Sequence, residues 1–226
     1  FSFGNGISAT LGIEDQTTGD QALGWAAGPN TNVKMADIVG NIAVAQAWGR
    51  AQLSVALHQN RVSFWNDPRT VAVESITDAK WGYAIGAGVE VNLPMLGAGD
   101  KIFVQGVYAN GAVNYAMNNV VAGTKDWDPG FVGSPLSKAW SISAGLNHNF
   151  SKQVEANLGA SYLDYNDAAV AGLDYTSWVV GADIRWKPVA GLTLAAALDY
   201  RSVDYNVAGA SNGNQWMGTL RVQRNF

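Results

Sequence analysis

The chain has 226 residues, only 14% of them charged, and its net charge of −4 leaves it without the basic surface expected of a nucleic-acid-binding protein. It contains no cysteine, which excludes disulfides, thiolate chemistry and the usual structural zinc sites. No apolar run approaches the roughly 18 residues that a transmembrane helix requires.

Apolar and polar residues alternate with a period of two along most of the chain, which predicts β-strands rather than helices. One set of alternate positions is apolar, and the other holds small and polar residues with scattered charges. We expect about ten strands, several close to the ~9–11 residues of a tilted membrane-spanning strand. In chain order they lie at 1–13, 38–48, 53–57, 81–93, 102–108, 140–150, 154–162, 177–186, 192–201 and 214–226, of which 38–48 is ambiguous in phase.

The connections between the predicted strands alternate in length. Short turns are expected at 49–50, 94–100, 151–153 and 187–191. Longer polar loops lie between them at 14–32, 60–78, 111–137, 164–174 and 206–213. Short turns on one side and long loops on the other are typical of an all-β, antiparallel transmembrane barrel of the outer membrane.

Aromatic residues lie at both ends of the apolar face of these strands, with Leu, Val, Ile and Ala between them. Two aromatic girdles around an apolar band are typical of a barrel that crosses two membrane interfaces. A soluble β-sandwich is the alternative, but its core aromatics should cluster in mid-strand. The predicted interface residues are Trp81, Tyr83, Tyr108, Trp140, Tyr162, Trp178, Tyr200 and Trp216 at the long-loop end, and Trp48, Phe150, Trp186 and Phe226 at the short-turn end.

The other face of the strands is predicted to line a pore. Its residues are mostly small, so they suit the wall of a wide, water-filled channel better than a filled interior. Charges on such a wall set ion preference, although cross-strand salt bridges that merely stiffen the wall are an equally good interpretation. The predicted pore-lining charges are Lys101, Arg185, Arg201 and Arg221, balanced by Glu90, Glu155, Asp183 and Asp199, so the sign of selectivity stays open.

A short loop joins the last two predicted strands, which should therefore pair antiparallel. If residues equidistant from the loop centre face each other, Asp199 lies opposite Arg221 and Arg201 lies opposite Thr219. Asp199 would then neutralise Arg221 and leave Arg201 as the freer cation.

No constellation of residues indicates an enzyme, and no cofactor or metal is expected. His148 is interpreted as a membrane-edge histidine and His58 as part of the pore wall, since neither has a second histidine or a nucleophile in phase beside it. The loop residues 126–128, Asp-Trp-Asp, could hold Ca²⁺, but they lack the spacing of a full EF-hand. The Gly-Ala-Gly at 86–88 lies within a strand, so it is not a nucleotide loop.

Three segments in order, 3–15, 37–41 and 46–52, together with the terminal Phe226, resemble the alphaproteobacterial general porin family. The resemblance implies a sixteen-stranded, homotrimeric porin of the bacterial outer membrane for small hydrophilic solutes, in contact with outer-membrane lipids and lipopolysaccharide. A C-terminal aromatic residue is also the usual assembly signal of such barrels. A structural or partner-binding barrel without significant conductance is the alternative function.

The resemblance also carries expectations about organisation. Residues 1–226 should form a single barrel domain that corresponds to the C-terminal ten strands of such a porin. The family's first strands, its cysteine-bearing start and its inward-folded constriction loop are not recognisable in the chain. Long loops are expected on the extracellular side, and short turns and the C-terminus on the periplasmic side.

Overall fold

The computed structural model describes residues 1–14, 35–60, 80–117, 135–167, 174–206 and 210–225. Apart from a single 3-10 turn at Val113–Tyr115, the regular structure in these ranges consists of β-strands. None of the described residues belongs to a helix long and apolar enough to span a bilayer.

Eleven strands form one sheet in which every strand pairs antiparallel with its neighbours in the sequence. Strands β1 and β11 are the two edges, and no ladder joins them within the described part of the chain. In order, the strands are β1 Ser2–Gly4, β2 Ile7–Glu14, β3 Asp37–Gln46, β4 Gly49–Asn60, β5 Lys80–Asn92, β6 Lys101–Asn110, β7 Lys138–Asn149, β8 Val154–Asn166, β9 Tyr175–Trp186, β10 Leu192–Tyr205 and β11 Gly213–Arg224.

The register divides the side chains between two faces of the sheet, because successive residues of a strand point to opposite sides. We call the face that carries Glu90 and Arg185 the polar face. The other, the apolar face, exposes large hydrophobic side chains along β2 to β11, among them Ile184 and Leu220, which are 50% and 88% exposed. A sheet that exposes this much apolar surface requires an apolar environment on that side.

Buried residues concentrate on the polar face, at the end of the strands nearest the long loops. There the short segment 111–117 turns back over the sheet, and Val113 and Ala116 pack against wall residues such as Ala109 and Leu163. Val113 is fully buried, which contributes roughly 1.5–3 kcal/mol for a side chain of this size.

The N-terminal region differs from the sequence prediction of one strand over residues 1–13. A tight turn separates β1 from β2, because Gly4, Asn5 and Gly6 all adopt positive φ angles of 82°, 50° and 75°. Two of the three are glycines, which enter this region without a steric penalty. The described residues therefore form eleven strands where about ten were expected.

The predicted pairing of Asp199 with Arg221 is wrong, as is that of Arg201 with Thr219. Asp199 lies opposite Met217, and Arg201 lies opposite Gln215. The prediction centred the loop midway between the strand ends, but the last two residues of β10, Asp204 and Tyr205, pair only with β9. The observed partner of Asp199 is four residues from the predicted one, and this two-residue overhang accounts for part of the difference.

Candidate functional site: the polar face of the sheet

All eight charges predicted to line a pore lie on the polar face. Glu90 is the register partner of Phe103, which is two residues from Lys101 and on the same face of β6. Glu155 is the register partner of Arg185. The four remaining charges follow from the same alternation: Asp183, Asp199, Arg201 and Arg221. The alternation of the sequence therefore brings the eight charges onto one side of the sheet.

A continuous polar ladder crosses the short-turn half of this face from β7 to β9. Asn147 donates to Asn157 at 2.8 Å, and Asn157 donates to the carboxylate of Asp183 at 3.0 Å. Arg185 lies 2.7 Å from Asp183 and 3.4 Å from Glu155. Each member of the ladder therefore holds its neighbour at a fixed position on the wall.

Two further ion pairs complete the charged wall. The Lys101 ammonium lies 2.8 Å from Glu90, and the Lys187 ammonium lies 2.7 Å from Glu155. The side chains of Lys101, Glu90 and Lys187 are between 42% and 46% exposed. Exposed ion pairs contribute only about 0–1 kcal/mol each, so these pairs position charge more than they stabilise the sheet.

Three of the eight predicted charges make no ion pair with any described residue. Asp199 and Arg201 lie on β10, and Arg221 lies on β11 opposite Ala195, so the level of Asp199 along the strands falls between those of the two cations. The carboxylate of Asp199 lies directly over Gly181, where a side chain at residue 181 would otherwise be. Three of the four predicted acids are thus neutralised by partners, whereas two of the four cations are not.

Several polar-face residues were missed by the sequence reading. Asn147 and Asn157 connect the charged ladder, and Arg50 donates to Gln52 on the wall of β4. Arg50 was assigned to a turn, but the turn lies at residues 47–48 and β4 begins at Gly49. The alternation of β4 from residue 50 onward was the signal that could have identified it.

At the long-loop end, an acidic cluster on β2 and β3 meets the segment 111–117. The imidazole of His58 lies 3.0 Å from both carboxylate oxygens of Asp37. The Tyr115 hydroxyl lies 2.7 Å from Asp37 and 3.2 Å from Glu14. Burial raises the pKa of Tyr115, and the hydrogen bond to Asp37 raises it further, so the hydroxyl remains a protonated donor.

His58 and His148 each pair with a carboxylate. The His148 imidazole, on β7, lies 2.5 Å from the carboxylate of Asp100, which belongs to the turn before β6. The imidazole ring also packs edge-on against Phe150. The backbone N–H of Asn149 donates to Asp100 and lowers the pKa of this carboxyl, as do the side chains of His148 and Asn149. No group of three or more metal-ligating side chains occurs in the described ranges, and the candidate calcium segment 126–128 lies outside them.

The predicted interface aromatics that the structure describes lie on the apolar face or in the turns beside it. Along the long-loop end, Tyr162 contacts both Trp140 and Trp178, and Tyr200 contacts Trp216, with ring centroids 4.6–5.1 Å apart. Tyr83 and Tyr108 form another pair at 6.2 Å. Trp81, Trp48, Phe150 and Trp186 are exposed, and Phe226 lies outside the described residues.

Trp178 and Trp186 lie eight residues apart on the apolar face of β9, and each is 49% exposed. At about 3.3 Å of rise per residue they are separated by roughly 26 Å. This separation matches the ~25 Å height of the apolar band in outer-membrane barrels.

Residues 1–222 match the family described as Porin subfamily. The chain belongs to this porin family. Proteins called Porin Omp2b from Brucella canis and from Brucella abortus are each 24% identical to this porin over 229 residues. The alignments cover 100% of this chain and 50% of each relative, so the chain spans about half the length of the curated relatives it matches. The predicted resemblance is confirmed.

Among solved structures, the porin is similar to the outer membrane channel DcaP of Acinetobacter baumannii, with a TM-score of 0.74 and 13% sequence identity. The similarity covers 100% of this chain and 60% of that channel. At this identity it bears on the fold alone. The predicted all-β, antiparallel transmembrane fold is confirmed.

Proposed function

We propose that the protein forms a water-filled channel across the bacterial outer membrane, through which small hydrophilic solutes and ions diffuse passively, and that it catalyses no reaction. The observation that carries this proposal is the contrast between the two faces of one sheet. One face exposes Leu, Ile, Val and Trp, and the other presents small residues with an ordered ladder of charges. A closed sheet with these faces separates lipid from water.

The proposal includes the assembly implied by the resemblance. The described sheet is one wall of a single barrel domain that contains residues 1–226, closes with sixteen strands and forms homotrimers among outer-membrane lipids and lipopolysaccharide. Barrels of 16–18 strands enclose an aqueous channel, whereas barrels of about eight strands are filled by side chains. The small residues on the polar face favour the wider barrel.

The orientation follows from the lengths of the connections. Short turns face the periplasm and long loops face the exterior in barrels of this class. The turns between β3 and β4 and between β9 and β10 thus lie on the periplasmic side, with the C-terminus. The Trp48, Phe150 and Trp186 side chains mark that interface, and the row from Tyr83 to Trp216 marks the outer one.

The eight wall charges are proposed to line the channel and to set its ion preference. Glu90, Glu155 and Asp183 are partly neutralised by their ion pairs, whereas Arg201 and Arg221 have no ion partner among the described residues. On β10 and β11 these two cations face one unpaired acid, Asp199, so this part of the wall carries an excess of one positive charge. We expect weak anion preference from this wall.

Liposome swelling tests the channel directly. Native protein purified from outer membranes and reconstituted into liposomes should allow the influx of a pentose, and heat-denatured protein from the same preparation is the control. Resistance to denaturation by detergent verifies that the native sample contains folded barrels. If such a sample swells no more than the denatured control, a structural or partner-binding barrel without significant conductance is favoured.

A further inference from the structure

The polar face carries an unbroken row of side chains at one level, close to the long loops. Direct register partners connect Val39, Ala56, Ala84, Ala109 and Ala139 on five successive strands. The row then continues on β8, β9 and β10 with three tyrosines, Tyr165, Tyr175 and Tyr205. Eight strands thus meet at one level, with small residues on one half and large rings on the other.

The segment 111–117 lies on the alanine half of this row. Ala112, Val113 and Ala116 are no more than 4% exposed, and they pack into the cluster that contains the alanines. The backbone of Gly111 crosses so close to Gly82 that a Cβ at residue 82 would overlap its carbonyl group. Methyl-sized wall residues and a glycine leave the space that the segment fills.

The segment is anchored at both ends. At its start, the Asn60 side chain donates to the Gly111 carbonyl at 2.6 Å, and Gly111 donates to the Ser137 carbonyl at 2.7 Å. Gly111 has a φ of 65°, which lets the chain turn back over the wall. Near its other end, the Tyr115 hydroxyl reaches Asp37 on β3.

The reach of the segment follows from the strand order. It leaves the sheet at the end of β6 and contacts β3, three strands away, which corresponds to about 14 Å at ~4.8 Å per strand. It therefore runs across the wall rather than along it. Over β8 to β10 the tyrosine rings occupy the same layer, and Tyr165 lies 5.1 Å from Tyr175, which lies 5.8 Å from Tyr205.

We propose that the segment 111–117, held by Tyr115 on Asp37 and continued by the row of three tyrosines, is a constriction that sets the size limit of the channel near its outer mouth. This inference rests on the proposed function. The family's inward-folded constriction loop is not recognisable in this sequence. The constriction proposed here belongs instead to the connection between β6 and β7. The segment and the three tyrosine rings together narrow the channel along the part of its wall that β3 to β10 form.

Replacing residues 112–117 by a glycine–serine segment of equal length removes the buried Val113 and Ala116 and the Tyr115 anchor. The single-channel conductance of the full-length variant should then exceed that of wild type about twofold or more, because current through a water-filled pore increases with its open cross-section. Trisaccharides that wild-type channels exclude should also enter liposomes. An unchanged conductance and an unchanged sugar cut-off would overturn the proposal.

A second measurement serves if the replaced segment prevents folding. A single cysteine at Asn114, in a background without other cysteines, is modified with a bulky methanethiosulfonate reagent during recording. Its control is Ser143→Cys, four residues from Ala139 along β7 and about 13 Å closer to the short turns. Modification should reduce the current by at least about half at residue 114 and by much less at residue 143, because only the former lies at the narrow level.

Equal block at the two positions would overturn the constriction. Failure of the constriction and failure of the channel itself remain distinguishable in both experiments. A wild-type protein that never conducts contradicts the proposed function. A wild type that conducts, together with an unchanged conductance in the segment variant or equal block at the two cysteines, contradicts only the constriction.

Discussion

The ring of Phe103 lies over Gly145, its direct partner on the neighbouring strand, so that a Cβ at residue 145 would overlap the ring. The same Cβ would also lie 3.0 Å from the backbone carbonyl oxygen of Leu158, which cannot move freely. We expect Gly145→Ala to destabilise the barrel by about 1–3 kcal/mol, as overpacking does. Gly159, the next partner in this row, has its nearest neighbour 3.9 Å from a Cβ, so Gly159→Ala is the matched control.

Urea titration of the two glycine variants in lipid vesicles measures the difference in the free energy of unfolding. Equal stability of Gly145→Ala and Gly159→Ala would contradict the placement of the Phe103 ring.

Arg201 should influence ion selectivity more than the paired charges do. Replacing Arg201 by Gln removes a cation that no described ion partner neutralises, so the reversal potential in a salt gradient should move towards cation preference. The control is the double variant Glu90→Gln/Lys101→Gln, which removes an ion pair and leaves the net charge unchanged. A larger shift in the double variant than in Arg201→Gln would contradict this assignment.

Leu220 and Thr219 test the assignment of the two faces on adjacent positions of β11. Leu220 is 88% exposed on the apolar face, and Arg at the bilayer midplane of such a barrel costs roughly 2–4 kcal/mol. Thr219 lies on the polar face opposite Ala197, so Thr219→Arg should change the free energy of unfolding much less. The ranking is measured by equilibrium unfolding in vesicles, and a more severe effect at Thr219 would reverse the faces.

The Asp100 carboxylate should make the folded protein less stable as the pH falls into the acidic range. Its pKa in the folded protein lies below the usual value of an aspartate, mainly because the backbone N–H of Asn149 donates to it. The resulting stabilisation is present above the unfolded pKa of about 3.9 and is lost as pH falls through the lower folded pKa. Thermal unfolding of Asp100→Asn should therefore lose part of this acid dependence. A pH profile identical to that of wild type would contradict the role of the turn.

Much of this fold could be predicted from the sequence, because a two-residue period assigns each side chain to a face regardless of what it pairs with. That period identified the strands of β5 and of β7 to β11 and placed all eight wall charges on one face. It had low contrast in β6, where Phe103 interrupts the polar set, and the glycine partner that explains this aromatic is 42 positions further along the chain.

The relationships that the sequence did not reveal are those between strands. The four-residue difference between the predicted and observed partners of Asp199 arises in part from the two-residue overhang of β10, which only the pairing with β9 discloses. Likewise, Ala56, Ala84, Ala109 and Ala139 look unremarkable in separate strands. They form a row only because of the register, and the return of residues 111–117 over that row depends on contacts with Asn60 and Asp37.

In the proposed channel, the polar face encloses water through which ions pass. Planar bilayer recording of the native protein, at high salt and low protein concentration, measures this most directly. A water-filled channel should give stepwise increases of current with a linear dependence on voltage, and a conductance that rises in proportion to bulk salt. Folded protein that inserts into the bilayer without producing any current steps would contradict it.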